Sequence, residues 1–226
     1  MIKLNAKYEI EEFDGIEMLK RIEKVGRICY KSEDRITDNS CLTFAKMLVS
    51  KCHGAMLEHS QISVKFIVDR GVTHELVRHR MASFAQESQR YCNYSNDKHD
   101  NNVKYIDIAP SIALDSKMKD MEQSKIDLIY NEWISACEDA ERHYLRMIEL
   151  GATPQIARSV LNNSTKTEII ITANIREWRH FFGLRADTPA HPSVREITIP
   201  LLLDLQSRIP VVFDDIVEKL NITDNK

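Results

Sequence analysis

Arg78-His79-Arg80-Met81-Ala82-Ser83-Phe84-Ala85-Gln86-Glu87-Ser88-Gln89-Arg90 sets three arginines, a histidine and two serines within thirteen positions. Such a supply of donors suits phosphate or carboxylate oxygens and reads as an anion site. The ordinary fate of a charge run is a solvated basic face. Two features favour the anion site: the whole chain carries a formal net charge of −3, and the cluster follows a strongly patterned strand. Ile62, Val64, Phe66 and Val68 alternate with Ser63, Lys65 and Asp69, Ile67 being the exception. Gly71 breaks the pattern, and Thr73 can cap a short helix carrying His74, Glu75, Leu76 and Val77 into the cluster. His74 to His79 imitates a zinc-protease motif, but these histidines lie five apart rather than four and point away from each other on a helix, so no zinc site is expected.

At 226 residues, 43% apolar and 29% charged, the chain can bury a core as one domain, residues 1–226. A charge so near zero argues against a protein that coats nucleic acid. No signal-peptide run opens the sequence and no stretch approaches the ~20 apolar residues of a membrane span, so a soluble, cytoplasmic protein with no membrane partner is expected. Five scattered cysteines, Cys29, Cys41, Cys52, Cys92 and Cys137, with no C-x-x-C pair, suggest neither a disulfide framework nor a zinc ribbon.

Upstream, Ile2, Leu4, Ala6, Tyr8 and Ile10 alternate as a half-buried first strand, and Asp14 caps a helix running to Tyr30 with Ile16, Leu19, Ile22 and Val25 on one stripe. Asp38, Asn39 and Ser40 offer caps for a second helix, with Cys41, Phe44, Ala45 and Leu48 at core spacing, ending near Gly54. The loop from His53 to His59 carries two histidines that could ligate a metal, although loop histidines more commonly cap or line a core edge.

Downstream, Tyr91 to about Asn102 reads as a polar surface excursion, and Tyr105–Ile108 as a short extended piece ended by Pro110. Ile126, Ile129, Trp133, Ala136, Ala140, Tyr144 and Met147 or Ile148 mark a helix from about Ser116 to Leu150, its stripe belonging to core or subunit interface. Gly151 stops it, and Thr153-Pro154 opens a short helix bearing Arg158. Glu168 to Ala173, with three consecutive isoleucines, predicts a central strand. Asn174 then caps a helix on which Arg176 and His180 share one face while Trp178, Phe181 and Phe182 pack the other. Beyond the turn at Pro189, His191 and Pro192, a last helical stripe of Val194, Ile197, Leu201 and Leu205 is kinked or divided by Pro200, and residues after about Asn221 fray.

Arg78, His79, Arg80, Ser83, Ser88 and Arg90 match every fixed position of the RHRxxSxxxxSxR signature of the flavin-dependent thymidylate synthases, a coincidence expected about once in 10⁶ tries. The resemblance extends to a second block, Asn174, Arg176, His180 and Arg185, and spans roughly His53 to His191. It implies an α+β fold with a central, mostly antiparallel sheet flanked by helices on both sides, the thymidylate synthase-complementing fold. It also implies a homotetramer with active sites shared between subunits. By resemblance, His53, Ala55, Arg78, His79, Arg80, Gln86, Asn174, Arg176 and His180 hold FAD. Glu75, Arg78, Gln86, Glu87, Ser88, Gln89, Arg90, Arg158 and Arg185 hold dUMP, with Ser88, Gln89, Arg90 and Arg158 chiefly on its phosphate. Arg185 is the catalytic residue, its cation against the uracil N3 edge favouring the ionised ring. Departures are Glu75, where many members have Gln, Gln86, where some have Glu, and His180, where some have Asn; the segment after Arg185 is longer than in some members, leaving the role of His191 open.

The implied reaction converts dUMP to dTMP with a one-carbon unit from 5,10-methylenetetrahydrofolate and a hydride from reduced FAD, which NADPH re-reduces; folate leaves as tetrahydrofolate and no metal takes part. The conventional synthase uses a cysteine nucleophile, and no cysteine here has a convincing base beside it in sequence. A non-catalytic nucleotide- or polyphosphate-binding module is the alternative, and an RNA-binding protein a third. A simple anion binder, however, has no need of the distant block from Asn174 to Arg185.

Overall fold

The computed structural model describes residues 1–96 and 101–222, so part of the excursion expected at 91–102, and most of the fraying expected beyond 221, lie outside the described residues. The N-terminal alternation resolves into two strands, β1 (Ile2–Leu4) and β2 (Lys7–Ile10). Helix α1 (Gly15–Tyr30) starts where expected, the Asp14 carboxylate accepting from the backbone N–H groups of Ile16 and Glu17. Helix α2 (Ser40–Ser50) is held at its start through the Ser40 hydroxyl, which accepts from Thr37 N and donates to the buried Glu23. A 3-10 stretch, Gly54–His59, leads into β3 (Gln61–Asp69).

Asp69, not Thr73, caps α3 (Arg70–Leu76), accepting from Val72 N at 2.6 Å; the strand ends at Asp69, two residues before the Gly71 expected to break it, and Gly71 lies inside the helix. The carboxylate ending the strand satisfies the first turn directly. The signature itself contains a strand, β4 (Ala82–Gln86), that the alternation of small, apolar and polar residues did not announce. After β5 (Lys104–Ile106), Pro110 falls in the first turn of α4 (Ala109–Leu114), where its missing N–H costs nothing. The long helix α5 (Gln123–Glu149) begins seven residues later than expected, and its stripe is buried only in the second half, at Cys137, Ala140, Glu141 and Tyr144, while Leu128 and Ile129 are exposed. Then come α6 (Pro154–Ala157), β6 (Lys166–Asn174), α7 (Ile175–Arg185), α8 (Pro192–Arg208), which Pro200 does not divide, and the unforeseen α9 (Asp214–Lys219).

The four-stranded sheet has the order β2-β3-β6-β4, so β6 is central as predicted; β1 pairs in parallel with β5 in a second, two-stranded sheet. Ile175 N bonds Ser60 O, the Ser63 and Thr172 hydroxyls meet at 2.8 Å, and Arg70 N bonds Thr165 O: pairing that advances along β3 recedes along β6, which makes the two antiparallel.

Contacts gather the chain into two compact units, Met1–Lys7, Phe66–Arg78 and Phe84–Ile170 in the first, and Tyr8–Lys65, His79–Ser83 and Ile171–Lys226 in the second. The first is built on Tyr94, Val103, Tyr105, Cys137, Tyr144 and Ala157. Burial raises the Tyr94 phenol pKa well above its ordinary value, with Glu87 adding to the effect. In the second unit Leu19, Ile22, Phe44 and Leu48 from α1 and α2 are buried, as are Trp178, Phe181 and Phe182 of α7. Trp178 donates its indole N–H to Ile62 O, and Phe182 stacks on it with centroids 5.8 Å apart. One close approach fixes how α1 meets α8 in this unit: a Cβ on Gly15 would lie 2.0 Å from the Arg208 carbonyl oxygen.

Candidate functional site

The second unit builds a polar cluster around His79. Its ring is 5% exposed, Nδ1 lies 2.9 Å from Glu177 Oε1, and Arg185 Nε donates to Nε2 at 3.2 Å. An arginine N–H can only donate. His79 Nε2 is therefore the bare acceptor, and Nδ1 carries the proton and donates it to the Glu177 carboxylate. Burial pushes the His79 pKa below the ordinary histidine value and the Arg185 charge acts the same way, the Glu177 hydrogen bond opposing both. The ring is neutral and held at both nitrogens.

Helix α7 supplies the partners because Asn174 caps it: the Asn174 side-chain oxygen accepts from Glu177 N at 2.8 Å, fixing Glu177 in the first turn. Arg185 closes the last turn, its carbonyl accepting from the fully buried Thr198 hydroxyl at 2.8 Å. His180 stands edge-on to His79 at 5.5 Å between centroids, and Phe181 covers the ring at 4.9 Å. Ligand atoms of His79, Glu177 and His180 lie within 4.8 Å of one another, a spacing a divalent ion could use. Yet the proton on Nδ1 and the guanidinium at Nε2 occupy the histidine atoms such an ion would need.

Around this cluster Arg176 and His180 are exposed on one face of α7. Arg176 Nη1 donates to Glu58 at 2.6 Å, and its side chain lies so near Gly54 that a Cβ there would meet Arg176 Nε at 2.9 Å. His53 Nδ1 and the Tyr30 hydroxyl are 3.0 Å apart; Ala55 and Arg80 are exposed.

The first unit gathers the other half of the signature. Glu75 is half-buried on α3, and Arg78 is exposed just beyond it. Gln86, ending β4, donates to the hydroxyls of Thr73 at 3.1 Å and Thr167 at 3.4 Å. Glu87 is tied to β6 by its backbone N–H to Glu168 O at 2.8 Å, and its carboxylate takes bonds from Tyr94 at 3.3 Å and Lys166 at 3.1 Å. Ser88 turns the chain: its hydroxyl accepts from Arg90 N and its carbonyl from Tyr91 N and Cys92 N, with Gln89 buried and Arg90 exposed. Arg158 stands half-buried on the 3-10 turn Arg158–Val160.

Two residues of these clusters were not singled out from the sequence. Arg70, in the first unit, keeps a buried Nη1 with no hydrogen-bond partner among the described residues, and nothing in the spacing marked it. Glu177 had a signal that misleads: Asn174-x-x-Glu177 is a helix-start pattern in which the glutamate would reach back to its own cap. Here the carboxylate serves His79 instead.

The sequence model of the thymidylate synthase complementing protein family matches residues 15–211. The chain belongs to this family. Among its relatives, a flavin-dependent thymidylate synthase of Corynebacterium efficiens is 33% identical over 208 residues, covering 89% of this chain and 80% of the relative. The enzyme of the same name from Corynebacterium diphtheriae is 33% identical over 204 residues, covering 86% and 77%. A solved structure of the UMP/dUMP methylase PolB from Streptomyces cacaoi, bound with 5-Br dUMP, superposes with a TM-score of 0.79 over 96% of this chain and 97% of that one at 22% identity. The mixed helix-and-sheet fold is thus a fold of the family.

Proposed function

We propose that this chain is a flavin-dependent thymidylate synthase that methylates dUMP reductively to dTMP. The observation that carries the proposal is the cluster in which signature residue His79 meets Glu177 and Arg185 of the second block, about a hundred positions away in the chain. An anion-binding module needs cations; it does not need a buried neutral histidine to aim one of them.

The donor set fits a flavin dinucleotide. Arg78, Arg80, Arg176 and His180, with His53, offer cationic and hydrogen-bonding groups for its phosphates and polar edge, and Gly54 and Ala55 keep the neighbouring backbone free of bulk. FAD, re-reduced by NADPH, supplies the hydride when bound, and 5,10-methylenetetrahydrofolate the carbon. The chain's own residues bind and orient. Ser88, Gln89, Arg90 and Arg158 hold the dUMP phosphate, while Glu75, Gln86 and Glu87 bound the nucleotide. Arg185 sets a fixed cation against the uracil N3 edge, where it favours the ionised ring and so raises electron density at C5.

The working form is a homotetramer in the cytoplasm, its sites completed between subunits. Among the described residues no helix is long and apolar enough to cross a membrane. Support for assembly comes from large apolar side chains left exposed, Tyr91 at 80%, Leu150 at 70%, and Met81 and Leu128 at 66% each. The test is anaerobic incubation of purified protein with FAD, NADPH, methylenetetrahydrofolate and dUMP. Formation of dTMP by mass, lost when either FAD or the folate is omitted, is expected; binding of FAD and dUMP without product would reject the chemistry.

A further inference from the structure

Arg185 is half-exposed at the end of α7, and a long flexible side chain in such a place samples many rotamers, which carries an entropic cost when it is ordered. A cation asked to recognise one edge of a planar ring must pay that cost beforehand if it is to act on the transition state rather than merely attract the substrate. Thr198 anchors the carbonyl of this arginine, and the His79 ring anchors its Nε.

The second anchor works in one protonation state of the ring alone. If the proton sat on Nε2, two N–H groups would face each other and the contact would become repulsive; were both nitrogens protonated, two cations would meet. Something must keep the proton on Nδ1, and the 2.9 Å contact with Glu177, whose side chain is itself 11% exposed, is placed to do so. The carboxylate is in turn positioned by the Asn174 cap on its own backbone N–H. Fixing a histidine tautomer through the bond made by its other nitrogen is the way ligating and catalytic histidines are commonly oriented.

We infer that Glu177 is a positioning residue for the reaction: through Nδ1 of His79 it keeps Nε2 bare, so that Arg185 is held by its Nε and its guanidinium plane is set for the uracil ring. The inference rests on the function proposed above, for without dUMP there is nothing for Arg185 to orient towards. It adds to the site a residue that lies outside the signature. The chain Glu177–His79–Arg185 passes orientation along two hydrogen bonds, with no net proton transfer at any step.

The variants that test it are Glu177→Gln, which keeps an oxygen to accept from Nδ1, and Glu177→Ala, which removes it. The first readout is independent of activity: ¹⁵N NMR of the His79 ring in the full-length protein at neutral pH, assigned by its disappearance in His79→Gln. A bare Nε2 and protonated Nδ1 are expected in wild type and in Glu177→Gln, and a mixed tautomer in Glu177→Ala. The second is kcat per bound flavin and KM for dUMP. Glu177→Ala should lose about tenfold to a hundredfold in kcat with a smaller change in KM, and Glu177→Gln should recover most of it. A purely structural role for Glu177 would lower the unfolding midpoint and flavin loading while leaving turnover per bound flavin intact. That result, or a protonated Nε2 in wild type, overturns the inference, and the NMR of wild type and Glu177→Gln decides it even if the alanine variant does not fold. Wild-type protein that makes no dTMP while showing the expected tautomer overturns the proposed function, and the positioning role falls with it.

Discussion

Arg185 is where the proposed chemistry is most exposed to a single substitution. Arg185→Ala removes the cation proposed to face the uracil edge but leaves the buried residues of α7 in place, so turnover should fall by at least about a hundredfold, as when one preorganised donor is deleted from an active site. The unfolding midpoint should fall by no more than the cost of leaving the buried His79 Nε2 without its donor, about 1–3 kcal/mol, with the fold intact; near-normal activity in that variant would reject the role. Its partner His79 was legible in the sequence as part of an anion site, but its burial was not, because a histidine between two arginines reads as solvent-facing. Phe181 covers the ring, and its burial is tolerated because both nitrogens are satisfied, by a carboxylate and a guanidinium that lie about a hundred positions downstream. Periodicity cannot report a contact of that range, which is also why Glu177 was not singled out.

At the scale of elements, the capped and strongly periodic pieces were the readable ones. Asp14 before α1, Asn174 before α7 and the isoleucine-rich β6 all stand as expected, since each is specified within a few residues by cap chemistry or alternation. β4 was hidden because Ala82–Gln86 has neither the β-branched content nor the apolar alternation of a strand; its pairing in the sheet imposes extension that its local sequence does not ask for. The start of α5 was read too early for a related reason, as the turns over 115–122 are polar enough to continue a helix on paper. Packing also singles out Gly15, which no motif marked. With a Cβ only 2.0 Å from the Arg208 carbonyl, Gly15→Ala must push α1 away from the end of α8. Such overpacking costs about 1–3 kcal/mol, which should appear as a lower urea midpoint with unchanged slope. A midpoint equal to that of wild type would mean that the helices part without penalty.

For the whole molecule, the sequence pointed to the fold through the signature and the second block rather than through composition, which fits any globular chain. The division of the site residues was not readable: Gln86, Glu87, Ser88, Gln89, Arg90 and Arg158 fall in the first compact unit, and His53, His79, Arg80, Arg176, His180 and Arg185 in the second. Exposed apolar side chains on both, including Leu150 on the first and Met81 on the second, are what the proposed assembly would cover. Light scattering should therefore return a mass four times that of the 26.2 kDa chain, whereas a monomer at working concentration would contradict shared sites. The central claim is that the hydride comes from flavin and not from folate, and the folate product reports it directly. Reduced, FAD-loaded protein mixed anaerobically with dUMP and methylenetetrahydrofolate should release dTMP and tetrahydrofolate in equal amounts, one of each for every flavin oxidised. Appearance of dihydrofolate, or of dTMP without flavin oxidation, would contradict the account.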